Sequence, residues 1–150
     1  MRTPVQVRRA DAGDIDLLLP LCAEHAAYEQ LAYSTDAGID DLARALATGR
    51  LHAWMAMDGE TAVGYASATL DFSTLDRTIY LHMDCLFVRD GWRGSGIGQL
   101  LWDALRAFAC TQGCRNMQWQ TPDWNADAAR FYQRLGATEN RKRRYVLSLE

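Results

Sequence analysis

The spacing of apolar positions changes along this chain, and each change marks an element. Val5 and Val7, interleaved with Gln6 and Arg8, predict a first strand. Asp11 then offers a helix N-cap, with Asp14 three residues on in a capping-box arrangement. Ile15, Leu18, Leu19 and Cys22 continue as a helical stripe, and Pro20 inside it predicts a kink. After a polar, mobile connection over 28–36, the residues Ile39, Leu42, Ala43 and Leu46 predict a second helix that ends near Gly49.

From Leu51 the period falls to two. Leu51 to Met57 and Thr61 to Leu70 predict two strands joined at the hairpin signal Asp58-Gly59, with Gly64 marking a bulge. Thr78 to Val88 predicts the next strand. Ile97, Leu100, Leu101, Ala104, Leu105 and Phe108 then restore the helical spacing up to Gly113. Asn116 to Thr121 predicts a strand halted by Pro122. Asn125 caps a short helix carrying Ala128, Phe131, Tyr132 and Leu135, and Tyr145 to Leu149 predicts a last strand. Antiparallel strands followed by a β-α-β segment imply an α/β (α+β) chain with a mixed sheet flanked by helices.

Composition narrows the class. A chain of 150 residues, 49% hydrophobic and 23% charged, suits a single domain over 1–150 with a substantial core. The net charge of −3 gives no basic field for nucleic acid or an anionic membrane. No apolar run nears the roughly 20 residues that span a bilayer, and no signal-peptide core opens the chain, so a cytoplasmic location is expected. Cys22, Cys85, Cys110 and Cys114, with His25, His52 and His82 scattered among them, form no zinc-ligand spacing. Buried free thiols and no metal are expected.

The candidate chemistry lies where the strand ending at Val88 meets the helix beginning at Ile97. Gly94, Gly96 and Gly98 leave backbone N–H groups uncovered at a helix N-terminus, where the dipole favours an anion, and Arg93 adds a cation. No lysine completes a P-loop, and the evenly spaced glycines do not fit Gly-x-Gly-x-x-Gly. The remaining pattern, Arg-x-x-Gly-x-Gly, is met by Arg93, Gly96 and Gly98. A turn needing glycine only for close packing is the alternative.

This loop resembles the pyrophosphate-binding loop of the GNAT superfamily of N-acetyltransferases. Asp123-Trp124-Asn125 followed by Ala128, Phe131-Tyr132 and 134–137 resembles a second block of that family. Residues 77–81 and Tyr28-Glu29 resemble its spermidine/spermine and thialysine acetyltransferase branch. The resemblance implies a mostly antiparallel sheet of six to seven strands with about four helices. It also implies acetyl-CoA as co-substrate, a small-molecule amine as acceptor and a homodimer. The pyrophosphate would fall to Arg93, Gly94, Ser95, Gly96, Ile97 and Gly98, and the pantetheine arm to the backbone of Leu86, Phe87 and Val88. Asn125 would bond the cofactor's amide arm, Tyr132 would protonate the departing sulfur, and Tyr28 and Glu29 would border the acceptor.

An amine resembling lysine arrives protonated, with a pKa near 10.4, so a base or a base-held water is required. Simple alternation puts Tyr80, His82, Asp84, Leu86 and Val88 on one face, and Leu81, Met83, Cys85 and Phe87 on the other, unless a bulge breaks the phase. His82 and Asp84 are therefore the candidate bases. Asp84 stands where the polyamine branch carries a glutamate, so the shorter side chain favours a bridging water. The alternative is a pair that only satisfies itself at a sheet edge. Glu24, Glu29, Asp36, Asp40 and Asp41 are acidity suited to a cationic acceptor or to a solvated face. The basic run Arg141 to Arg144 suits either the 3′-phosphate of CoA, a partner or a protected strand edge. A protein or peptide acetyltransferase and a non-catalytic acyl-CoA-binding module remain as other readings.

Overall fold

β1 (Gln6–Ala10), β2 (His52–Asp58), β3 (Thr61–Ser73) and β4 (Thr78–Val88) form an antiparallel sheet in chain order, and β5 (Met117–Trp119) joins β4 in parallel. The helices are α1 (Ile15–Tyr28), α2 (Ile39–Thr48), α3 (Ile97–Thr111) and α4 (Ala126–Arg134). Residues 4–150 are described, in a computed structural model, and fall into two units, one ending at Gln120 and the other Thr121–Glu150.

The predicted cap is present. The Asp11 side chain accepts from the Gly13 N–H at 2.8 Å, and the Asp14 carboxylate accepts from the Asp11 N–H at 2.9 Å. Arg8 holds the same Asp14 carboxylate, at 2.8 and 3.0 Å. α1 is one helix from Ile15 to Tyr28 with Pro20 inside it.

β2 and β3 are buried on both faces, which is why their sequence reads as nearly continuous apolar runs. One face carries Ala53, Met55, Met57, Ala62, Tyr65 and Phe87 against Leu18 and Leu21 of α1. The other meets α3, where Trp54 lies edge-on to Phe108 at 5.2 Å. Gly64 permits this close approach. A Cβ there would sit 2.9 Å from the Phe87 carbonyl oxygen and 3.3 Å from Leu101. The register shifts beside it, from Ala56↔Gly64 to Met57↔Ala62, so the bulge predicted at Gly64 falls on its neighbour Val63.

Two expectations are corrected. The sheet has five strands among the described residues, and Tyr145–Leu149 forms none of them. Tyr145 and Leu147 are each 84% exposed. Alternation gives a segment strand propensity, but a strand also needs a neighbour to accept its ladder, and the unit Thr121–Glu150 contains no other strand. Of the predicted strand from Asn116 to Thr121, only Met117–Trp119 pairs.

Candidate functional site

β4 decides where the candidate side chains go. Cys85 pairs with Ser67 and Met83 with Ala68, so Asp84 is an extra residue with no partner on β3. Because Ser67 and Ala68 face opposite ways, this bulge reverses the phase of β4. Tyr80, His82, Cys85 and Phe87 therefore share the α1 face, and Leu81, Met83, Leu86 and Val88 share the α3 face. The alternation expected from sequence, with His82, Leu86 and Val88 together and Cys85 opposite Asp84, is overturned by that one inserted residue. Asp84 stands out at the bulge with its side chain 58% exposed. Its Oδ1 is 4.0 Å from His82 Nε2, the outer limit of an ion pair, and the Cys85 thiol points to its Oδ2 at 3.6 Å.

The parallel pairing of β4 with β5 ends at Met83↔Trp119, so residues 84–88 have only β3 as a ladder neighbour. Among the described residues, Leu86, Phe87 and Val88 thus lie on a stretch whose other edge carries no strand. Its exit is clamped. Arg89 forms a forked pair with Glu24 of α1, at 2.6 to 3.1 Å, and also donates to the Ala62 carbonyl at 3.3 Å. Glu24, grouped by sequence with the acceptor-side acids, is engaged by this pair. Asp41 is paired with Arg44, while Asp36 and Asp40 are exposed on the segment leading into and starting α2.

The glycine loop follows. Gly94 and Gly96 take φ of 78° and 85°, the left-handed region that side chains resist, and a Cβ at either would meet nothing within 4 Å. Glycine is needed here for backbone shape, and the space in front of the loop is open. Ser95 Oγ donates to the Trp92 carbonyl at 2.6 Å, and the helical ladder of α3 begins with Leu100 N–H donating to Gly96 O at 3.1 Å. Among the described residues, the backbone N–H groups of Gly94, Ser95, Gly96, Ile97 and Gly98 make no hydrogen bond. A run of unengaged donors at the positive end of a 15-residue helix has the geometry that suits an anion. Arg93 is turned back from it. Its Nε donates to the Val88 carbonyl at 2.9 Å, and its guanidinium lies 4.5 Å from the Tyr28 ring centre and 5.5 Å from that of Phe87.

Beneath Arg93, on the α1 face, is a cluster that sequence reading left scattered. The His25 ring stacks on Phe87 at 5.0 Å, its Nδ1 lies 2.6 Å from the Tyr65 hydroxyl, and its Nε2 lies 2.5 Å from Glu29 Oε2. Burial pushes the His25 pKa down, opposed by the charges of Glu29 and Asp84. Burial also pushes the Tyr65 phenol up and the Cys85 thiol up to about 12. A thiol held neutral is a poor nucleophile, so the bulge brings Cys85 beside Asp84 without making it reactive. The i, i+4 spacing of His25 and Glu29 was visible in the sequence, but nothing there placed Tyr65 opposite them. Among the described residues no group of three or more His, Cys, Asp or Glu is arranged to hold a metal.

In the unit Thr121–Glu150, Asn125 caps α4 as expected, its Oδ1 accepting from the Ala128 N–H at 3.2 Å. Tyr132 lies seven residues on, with its ring 5.5 Å from Phe131. Arg141 to Arg144 are exposed and outside any helix or strand.

Comparison with known proteins bears on this arrangement. The acetyltransferase (GNAT) family profile matches residues 18–137, across both units. A thialysine N-epsilon-acetyltransferase of Bos taurus is 31% identical over 146 residues, covering 90% of this chain and 85% of that protein. An aminoglycoside acetyltransferase from an uncultured soil metagenomic sample superposes with a TM-score of 0.86 at 17% identity, over 97% of each chain. An aminoglycoside N-acetyltransferase solved with CoA superposes with a TM-score of 0.83 at 21% identity, over 97% of this chain and 95% of that one. The last two show a shared fold.

Proposed function

The chain belongs to the acetyltransferase (GNAT) family and is an acyltransferase, and we propose that it moves an acetyl group from acetyl-CoA to a primary amine of a small molecule by direct transfer in a ternary complex. The observation that carries this reading is the run of unengaged amides from Gly94 to Gly98, next to a stretch of β4 with one open edge. Those amides suit a diphosphate, with Arg93 close enough in sequence to turn onto it. The backbone of Leu86, Phe87 and Val88 suits an extended pantetheine arm laid along β4 like an added strand. Asn125 would bond the same arm.

The amine must lose a proton, which for a group of pKa near 10.4 costs about 5 kcal/mol at neutral pH. Asp84, exposed at the bulge beside His82, is supported as the acceptor of that proton through water. A backbone N–H of the open stretch would stabilise the carbonyl oxygen as charge builds on it. Tyr132 would give its proton to the leaving thiolate, a mismatch of only about 2 kcal/mol between a phenol and a thiol. Tyr28 and Glu29 would border the acceptor. The bovine relative's thialysine is a lysine-like small molecule, which supports an aliphatic amine rather than a peptide. Within this reading the enzyme is one domain and works in the cytoplasm, as its length and apolar pattern suggest, and it forms a homodimer, as the family resemblance implies.

The test is thiol release from acetyl-CoA with a panel of lysine-like amines, polyamines and aminoglycosides beside peptides with free amino ends and lysines. Turnover confined to small amines is expected. Turnover confined to peptides would overturn the acceptor class, and tight CoA binding with no turnover would leave a binding module. Sedimentation of the same protein reads the dimer.

A further inference from the structure

His25 is a largely buried titratable group that the proposed chemistry does not use. Its side chain is 13% exposed, between Tyr65 on one ring nitrogen and Glu29 on the other. The direction of those two bonds follows from the neighbours. A carboxylate can only accept, so the Glu29 oxygen 2.5 Å from Nε2 requires the ring proton to be on Nε2. A neutral ring with its proton there accepts at Nδ1, so the single phenol proton of Tyr65 is directed to that nitrogen.

We propose that His25 is a positioning residue for the acceptor amine: with its tautomer set between Glu29 and Tyr65, it donates Nε2–H to Glu29 and holds that carboxylate in one orientation toward the substrate cation. This rests on the reading that Glu29 borders the acceptor. Glu29 is the C-cap residue of α1 with its side chain 22% exposed, so a fixed rotamer leaves Oε1 available while Oε2 is engaged. The charged and titratable groups around the ring are Cys22 from α1 and Glu29 at its C-cap, Tyr65 from β3, Asp84 and Cys85 from β4, and Arg93, whose guanidinium lies over the Phe87 ring on which His25 stacks. Their sum leaves the imidazole neutral at and above neutral pH, with burial as the largest influence. It therefore acts as a donor and not as a competing cation.

Two measurements on the full chain test this. In protein labelled with nitrogen-15 histidine, the His25 ring at about pH 7.5 should be neutral with its proton on Nε2, and Tyr65→Phe should mix the tautomers. In steady-state assays, His25→Leu should raise the amine KM roughly tenfold or more with the acetyl-CoA KM unchanged. His25→Gln, whose amide can donate in place of Nε2, should recover most of that loss. In a Glu29→Gln background, His25→Leu should add little, because both changes break one unit. A ring protonated on Nδ1, a charged ring, an amine KM that does not move, or full additivity with Glu29→Gln would each overturn the proposal. The spectrum needs no turnover. A chain that acetylated nothing would overturn the acceptor reading and this proposal with it, whereas Nδ1–H in an active enzyme would overturn this proposal alone.

Discussion

At the mouth of α3 the candidate groups are backbone amides, exposed because Gly94 and Gly96 take a left-handed conformation with open space before them. On the α1 face of β4 they are side chains from several elements: His25 from α1, Glu29 at its C-cap, Tyr65 from β3 and Phe87 from β4, with Asp84 at the bulge beside them. The first region is local, since one short loop and one helix end make it. The second exists only once helix and sheet have packed. On the proposed function, the physical difference is what each would recognise. A diphosphate presents the same oxygens in every acyl-CoA, and fixed main-chain donors suffice for it. An acceptor varies, and it takes adjustable side chains to select one.

If that division is right, damage to the two regions must separate in the kinetics. The largest effect is expected from Gly96→Trp, which puts a bulky residue at a φ of 85° in front of the amides. Losing two charge-assisted hydrogen bonds costs about 3 kcal/mol or more, so CoA binding by calorimetry should weaken over about 100-fold. The melting transition should persist, and retained affinity would detach the phosphate from this loop. Next in size is Tyr132→Phe, which should lower kcat at least about tenfold while the acetyl-CoA KM holds. Equal turnover would remove the phenol from the chemistry and leave Asn125 as the only assigned group on that helix.

Smaller effects concern the scaffold that joins the two regions. Glu24→Gln breaks the forked pair that fastens α1 to the end of β4. Being partly exposed, the pair should be worth about 1 kcal/mol in urea unfolding. A change in the amine KM larger than that stability loss would make Glu24 part of the acceptor site after all. The smallest effect is on pH. Burial holds the pKa of His25, and of His52, below the usual 6.5, so the unfolded chain takes up protons first as pH falls. The stability from keeping these rings neutral is complete above about pH 6.5 and lost as pH drops through their folded values. The melting temperature should therefore fall between about pH 7 and pH 5, and His25→Gln should fall less steeply. Equal slopes would mean the ring is not held neutral.

The sequence by itself determined the loop and most of the elements. The apolar stripe from Ile97 to Phe108, the Asp58-Gly59 hairpin, and the Asp11 and Asn125 caps are all short-range features, and each took the form expected of it, whereas Arg93 turned away from the glycine loop onto the Val88 carbonyl. Tertiary structure decided which side chains share a face. One unpaired residue at Asp84 turned Cys85 and Phe87 to the side of His82 and sent Leu86 and Val88 to α3, because a strand has a period of two and a single insertion inverts everything beyond it. It also joined His25 to Tyr65, 40 positions apart, and Glu24 to Arg89, 65 apart. The alternation in Tyr145–Leu149 formed no strand, since a ladder depends on a neighbour that no local pattern can specify.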